Sequence, residues 1–226
     1  MKILALDTSS TACSAALMVD DVIFSHHEIA PMQQAQRILT VIEELLLSAN
    51  SKINQLDAIA FGCGPGSFTG IRIAVSVAQG LAYAAGLPVI AVSSLAALAQ
   101  SAYDDLGWKH LLVGVDARIN EVYWGAYQVG LDELVCSAGK EVVCSPQQIT
   151  LPNMIDPWCG VGNAWDVYRD RLPFQPQQVD ASRLPTALAV LKLAQAKYLK
   201  KEWVSAMEAA PVYLRDQVAF KSGSSK

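Results

Sequence analysis

Two loops in the sequence place a carboxylate beside hydroxyl or basic side chains, directly after an apolar segment. The first is Asp7-Thr8-Ser9, and the second contains Asp116 and Arg118. A carboxylate and turn amides in this position can hold a phosphate or a magnesium-bound water. The alternative is a hairpin turn closed by local side-chain hydrogen bonds. Because the pattern occurs twice, it indicates a nucleotide cleft between two domains, with the turn interpretation left open.

A glycine-rich segment is a further candidate for anion binding. Residues 64–70 read Gly-Pro-Gly-Ser-Phe-Thr-Gly and lead into a helix-like stretch. The N-terminus of a helix favours an anion, but the segment lacks the Gly-Lys-Ser/Thr ending of a P-loop. A tight turn that lets two backbones pack is the alternative. The predicted nucleotide or anion contacts are therefore Asp7, Thr8, Ser9, Gly64, Gly66, Ser67, Asp116 and Arg118.

The sequence does not indicate other catalytic sites. Ser67 lacks the flanking glycines of a Gly-x-Ser-x-Gly motif. The five cysteines include no Cys-x-x-Cys pair, and the three histidines lack the spacing of a helical metal site. Arg118 and Glu121 are three residues apart, so a local ion pair explains both. We predict no catalytic residue and no metal ligand.

The composition is typical of a compact globular protein. Of 226 residues, 52% are apolar and 17% are charged, with a formal net charge of -4. A negative chain has no general attraction to phosphate backbones. No apolar run approaches the roughly 20 residues that span a bilayer, and an acid at position 7 comes too early for a secretory signal. We expect a cytoplasmic protein without membrane contact.

The elements that position these loops alternate between strands and helices. Three strand-like segments open the chain, and helices are predicted from about 33 to 50 and from about 69 to 85. The second helix is apolar almost all round, which one buried face does not explain. It is either enclosed within its domain or faces another subunit.

Small residues four apart favour the intersubunit alternative for this helix, because they let a partner helix approach closely. They are Gly70, Ala74, Ala78 and Ala82. We predict an interface that contains Ala35, Ile38, Leu39, Ile42, Gly70, Arg72, Ala74, Val77, Ala78 and Leu81.

An internal duplication predicts the domain organisation. Residues 4–7 and 113–116 are apolar segments that end in aspartate, and a second strand follows each at the same offset. A strand followed by glycine also recurs, which indicates a tandem α/β repeat with a boundary near residue 107. We assign residues 1–106 to an N-terminal domain, joined by the C-terminal segment 204–220, residues 107–203 to a C-terminal domain, and residues 221–226 to a flexible tail.

Four motifs resemble the TsaB (YeaZ) family. They are Ile-Leu-Ala-Leu-Asp-Thr-Ser at 3–9, Gly-Pro-Gly-Ser-Phe-Thr-Gly-Ile-Arg at 64–72, Asp-Ala-Arg-Ile-Asn-Glu-Val-Tyr at 116–123 and Pro-Val-Tyr-Leu-Arg at 211–215. They span most of the chain in the family's order, and the second is highly specific. The resemblance implies an α/β, actin-like fold of the sugar kinase and Hsp70 type, built from two RNase H-like domains.

The resemblance also implies a role in making threonylcarbamoyladenosine (t6A) at position 37 of tRNAs that read codons beginning with A. In that family TsaD is catalytic, TsaB is its dimerising and activating partner, and the ATPase TsaE joins them. We expect a non-catalytic subunit without an intrinsic cofactor, with ATP or ADP at the TsaD junction and tRNA contacted only through the complex. A homodimer is expected to compete with the heterodimer for the same helices.

Two other activities stay open as alternatives. A glycoprotease-type metallopeptidase needs a metal or a nucleophile, and neither is evident. TsaD-like proteins hold a metal with a helical His-x-x-x-His, whereas residues 31–39 contain no histidine. A small-molecule kinase would use Asp7 or Asp116 to hold magnesium.

Overall fold

The computed structural model describes residues 1–152 and 157–215, and two β-sheets organise them. The strands of the first sheet are β1 (Lys2–Asp7), β2 (Ala12–Val19), β3 (Val22–Ile29), β4 (Ala58–Gly62) and β5 (Val89–Val92). They pair in the order β3-β2-β1-β4-β5. Short turns make the first three strands antiparallel, whereas β1, β4 and β5 run parallel because helices connect β4 and β5 to the strands before them.

The second sheet repeats this arrangement. Its strands are β6 (His110–Asp116), β7 (Val122–Val129), β8 (Val135–Ser137), β9 (Val142–Cys144), β10 (Cys159–Val161) and β11 (Gln178–Asp180). They pair in the order β11-β10-β6-β7-β8, and β9 also pairs with β7. Because β6, β7 and β10 occupy the places of β1, β2 and β4, the predicted duplication is confirmed. The predicted fold class, an actin-like α/β fold of two RNase H-like halves, is confirmed with it.

The helices of the described residues are α1 (Gln34–Ser48), α2 (Phe68–Ala85), α3 (Ser94–Leu106), α4 (Ala164–Val167) and α5 (Ala187–Leu199). Helices α1 and α2 begin and end close to the predicted positions. The Ser93 hydroxyl caps α3 by accepting hydrogen bonds from two backbone amides, and Gly86 ends α2 with a φ of 68°. Within the described residues, no helix combines the length and apolar character needed to cross a membrane.

Each sheet packs against one helix from the other half of the chain. Alternate side chains of β1 point to opposite faces, so α1 and α2 cover Leu4 and Leu6 while α5 covers Ile3 and Ala5. Helix α5 thus packs on the first sheet although it follows the second, and α3 packs on the second sheet although it follows the first. The two helices contact each other and form one core shared by both sheets. The predicted boundary near residue 107 therefore lies between the two sheets, but the two halves share one hydrophobic core.

The C-terminal segment returns to the first half. Val204 exchanges backbone hydrogen bonds with Val89 at 2.9 and 3.0 Å. The predicted joining segment 204–220 is described as far as Arg215. Its last five residues and the predicted tail 221–226 lie outside the described residues.

Candidate functional site

A cleft of about 840 Å³ lies between the two halves. Its lining includes the β1–β2 loop, the start of α2, the loop after β6 and residues 212–215. The structure therefore brings the two predicted aspartate loops to one cleft. Five of the eight predicted contacts line it, namely Ser9, Gly66, Ser67, Asp116 and Arg118.

Asp7 lies beneath the cleft wall instead of on it. The residue is 1% exposed, and its carboxylate accepts hydrogen bonds from the amide and hydroxyl of Ser9 at 2.9 and 2.8 Å and from the Ser94 hydroxyl at 3.5 Å. Burial raises the pKa of Asp7 to about 6, although the hydrogen bonds from Ser9 oppose this shift. The structure corrects the prediction for this residue, because the carboxylate fastens the loop to the start of α3 and does not line the cleft.

The glycines of residues 64–70 allow close backbone packing. A Cβ atom on Gly70 would lie 1.9 Å from the Thr8 carbonyl oxygen, and one on Gly66 would lie 2.6 Å from that of Ser9. The buried Thr8 hydroxyl donates to the Gly70 carbonyl at 2.7 Å, and the Ser67 amide donates to the Ser9 carbonyl at 2.8 Å. These contacts favour the tight-turn alternative, with α2 held against the β1–β2 loop. Thr8 contacts this helix and does not line the cleft.

Gly64 packs against the C-terminal segment and does not line the cleft. Its φ is 99°, a left-handed conformation that favours glycine. A Cβ atom there would lie 2.8 Å from the Ile71 side chain and 3.0 Å from the Val212 carbonyl oxygen. The predicted anion contact at Gly64 is thus replaced by close packing against α2 and Val212.

The carboxylate of Asp116 closes its own loop. It accepts hydrogen bonds from the Arg118 amide at 2.9 Å and the Tyr168 hydroxyl at 2.7 Å. The Asp116 side chain is 8% exposed, whereas that of Arg118 is 86% exposed with a nitrogen 3.3 Å from Asp116. Arg118, Ile119 and Asn120 have φ values of 63°, 55° and 58°, a conformation that costs non-glycine residues about 1 kcal/mol or more each. The loop therefore holds Arg118 toward solvent at the cleft rim.

Residues 211–215 also contact the second half, which the sequence did not reveal. The Val212 amide donates to the Cys63 carbonyl at 2.8 Å, and Arg215 donates to the Glu121 carboxylate at 2.9 Å and the Ala117 carbonyl at 3.1 Å. The segment thus ties the first half to the loop of the second. It also corrects the predicted ion pair of Arg118 with Glu121, because Glu121 pairs with Arg215, 94 residues away.

The predicted interface divides into inward and outward residues. Gly70, Ala74 and Ala78 face the core of their own half, where both alanines are 0% exposed. Ile38 and Ile42 are buried there too. The structure corrects the prediction for these five residues, because the small side chains let α2 approach its own sheet. Those left on the surface, exposed or half-buried, are Ala35, Leu39, Arg72, Val77 and Leu81.

Metal chemistry finds no support at these loops. Among residues 1–152 and 157–215, no three His, Cys, Asp or Glu side chains are grouped so that they could hold a metal ion. Both loop aspartates make hydrogen bonds within their own half. The protein is thus an actin-like α/β protein whose interdomain cleft is formed by loops that are tied to one another.

Comparison with known proteins narrows this class to a family. Residues 22–222 match a sequence model described as "TsaD: tRNA N6-adenosine threonylcarbamoyltransferase". Two relatives named tRNA threonylcarbamoyladenosine biosynthesis protein TsaB match almost end to end. The Haemophilus influenzae protein is 40% identical over 98% of this chain and 96% of its own. The Escherichia coli protein is 36% identical over 98% and 97%, respectively.

A solved structure agrees with these relatives. YeaZ from Pseudomonas aeruginosa superposes with a TM-score of 0.91 at 46% sequence identity, covering 94% of this chain and 99% of that chain. The chain belongs to the TsaB family.

Proposed function

We propose that this protein is the non-catalytic partner of the enzyme TsaD in tRNA threonylcarbamoyladenosine biosynthesis. The assignment to this pathway is supported by two relatives that are named tRNA threonylcarbamoyladenosine biosynthesis protein TsaB and match 98% of the chain. The observation that supports a non-catalytic role is that the carboxylates of both loop aspartates accept hydrogen bonds within the protein. Asp7 is buried under Ser9 and Ser94, and Asp116 holds its own turn. Neither carboxylate is arranged to hold magnesium or to act as a base at the cleft surface.

The outward residues of α1 and α2 are the proposed surface for TsaD. Leu39 is 53% exposed, and Val77 and Leu81 are half-buried beside α1. An apolar strip on two neighbouring helices is typical of a protein interface. The chain itself matches the TsaD family model, so TsaD carries equivalent helices that can pair with these across a pseudo-two-fold axis. A second copy of this chain would use the same surface.

The remaining partners follow from this role. We propose that TsaE joins the complex and that tRNA meets this chain only through it, since the net charge is -4. We propose no intrinsic cofactor, and ATP or ADP at the TsaD junction would meet Arg118 and Ser67, which line the cleft. The cytoplasm is the proposed location. The metallopeptidase and kinase alternatives gain no support from the geometry.

Binding to TsaD tests this proposal. Leu39→Glu and Val77→Glu should weaken co-elution with TsaD, because each places a charge in an apolar contact. Leu199→Glu is the control, since Leu199 is 75% exposed at the end of α5. The isolated chain should show no ATP hydrolysis and no peptidase activity. Turnover that disappears on changing Asp116 would favour the kinase alternative and contradict the proposal.

A further inference from the structure

We propose that Arg72 is a preorganised receptor for one carboxylate side chain of the TsaD partner. The proposal rests on the function proposed above and identifies the charged contact that accompanies the apolar strip. Four observations carry it: the way the guanidinium is held, the lack of a carboxylate partner among residues 1–152 and 157–215, its position on the helix that carries part of the apolar strip, and the charges of the described residues around it.

Two aromatic rings hold the Arg72 guanidinium. Its central carbon lies 3.7 Å from the centroid of the Phe68 ring and 5.9 Å from that of Tyr213. Its Nε donates a hydrogen bond to the Tyr213 hydroxyl at 2.9 Å. The two rings are 5.8 Å apart, so they fix the plane of a side chain that otherwise has about 2 kcal/mol of rotamer entropy to lose on binding. A partner would therefore meet an arginine that is already oriented.

Arg72 differs from the neighbouring arginines in its pairing. Arg118, Arg183 and Arg215 line the cleft, and each forms a salt bridge with an aspartate or glutamate. In the part of the chain that the structure describes, Arg72 forms no salt bridge, and its two terminal nitrogens donate no hydrogen bond to the protein. Guanidinium nitrogens in this fork geometry match the two oxygens of a carboxylate. The side chain is exposed, so this fork is accessible to a partner.

Arg72 lies on α2, the helix that also contributes Val77 and Leu81 to the proposed interface. Arg72 belongs to the first turns of α2, and half-buried Ile73 and Val77 follow on the same helix. Protein interfaces typically combine an apolar centre with a polar rim, and arginine is among the residues that contribute most to their affinity. A carboxylate bound at Arg72 would lie at one edge of a contact that covers the exposed side of α2, on the opposite edge from Val77 and Leu81.

The charges around Arg72 favour a carboxylate over a phosphate. A phosphate group carries more than one negative charge and favours several cations or grouped amides. Arg215, two residues after Tyr213, is paired with Glu121, so among the described residues Arg72 is a positive charge without a carboxylate in salt-bridge contact. One carboxylate balances this charge. A carboxylate on a folded partner is therefore the expected ligand.

Affinity for TsaD, measured by calorimetry on the full chain, tests the proposal. Arg72→Gln should weaken binding tenfold or more, which corresponds to about 1.4 kcal/mol. Arg72→Lys should restore only part of the loss, because an ammonium group lacks the fork. Phe68→Leu should also weaken binding, because it removes the ring that orients the guanidinium. Raising the salt concentration should reduce the difference in affinity for TsaD between wild type and Arg72→Gln.

A matched control and a second readout separate binding from stability. Arg169→Gln removes an exposed arginine that pairs with Asp166 and is distant in sequence from α2, and it should bind TsaD like wild type. The urea midpoint of each variant is measured in parallel, because a purely structural role would lower the midpoint and leave the affinity unchanged.

Several results would overturn the proposal. They are an Arg72→Gln variant that binds TsaD within twofold of wild type, a lysine variant that binds as well as wild type, and an effect confined to self-association. Binding of inorganic phosphate that depends on Arg72 would overturn the choice of a carboxylate. If wild type itself fails to bind TsaD, the function proposed above fails, and this result is distinct from a mutational effect at Arg72.

Discussion

Replacement of Gly70 by alanine tests whether the glycine segment serves backbone packing. A Cβ atom on Gly70 would lie 1.9 Å from the Thr8 carbonyl oxygen, so α2 would have to move away from the β1–β2 loop. Gly80 lies on the same helix, and a Cβ atom there would meet no atom within 4 Å. Both glycines belong to α2, but Gly70 is buried in its first turn and Gly80 is exposed in its interior, and their steric environments are opposite.

The expected free energies of unfolding differ in sign. Alanine is favoured over glycine in a helix by about 1 kcal/mol, so Gly80→Ala should stabilise the protein by this amount. At Gly70 the same gain is opposed by overpacking, which costs about 1–3 kcal/mol. Loss of the hydrogen bond from the Thr8 hydroxyl to the Gly70 carbonyl costs about 1 kcal/mol more. Gly70→Ala should therefore destabilise the protein by about 1–3 kcal/mol.

Urea unfolding of the three proteins at pH 7 measures these differences. The midpoint should rise for Gly80→Ala and fall for Gly70→Ala, with unchanged slopes. Equal stabilisation by both alanines would refute the packing argument. It would favour the alternative, in which residues 64–70 form an anion site.

Three further predictions concern charge and burial. The pKa of Asp7 is raised by burial to about 6 from 3.8, so its stabilising contribution is complete below pH 4 and is lost as the pH rises through 6. Relative to Asp7→Asn, wild type should lose up to about 3 kcal/mol between pH 4 and pH 7 in urea unfolding, and a constant difference would contradict this. Ala74→Arg should prevent native folding, as judged by circular dichroism, because Ala74 is 0% exposed; a folded variant would mean that this face is open. A double-mutant cycle on Arg215→Ala and Glu121→Gln should give a coupling of about 1 kcal/mol in unfolding, since the pair is partly exposed, and additive effects would show that the connection contributes nothing.

Local and periodic features of the fold were predictable from the sequence. Apolar periodicity located α1 and α2, and repeated strand-aspartate segments revealed the duplication. These patterns depend on residues that are close in sequence, so they can be recognised without the tertiary structure.

The orientation of the predicted residues required the structure. Periodicity shows that Gly70, Ala74 and Ala78 share a helix face, but it does not show whether that face meets a partner or its own sheet. Asp7 illustrates the same limit, because a carboxylate that binds a ligand and one that fastens a loop have the same local sequence. The pairing of Arg215 with Glu121 joins residues 94 apart and has no local pattern. The exchange of α3 and α5 between the sheets is likewise a tertiary event.

The central claim is that this chain activates TsaD without catalysing the reaction. It is tested most directly by reconstituting t6A formation on unmodified tRNA with purified TsaD, TsaE, ATP and the threonylcarbamoyl donor, and quantifying the modified nucleoside by mass spectrometry. We expect modification to require both this chain and TsaD, to rise with this chain until the two are equimolar, and to survive Asp7→Asn in a folded variant. Equal modification without this chain, or modification by this chain in the absence of TsaD, would contradict the claim.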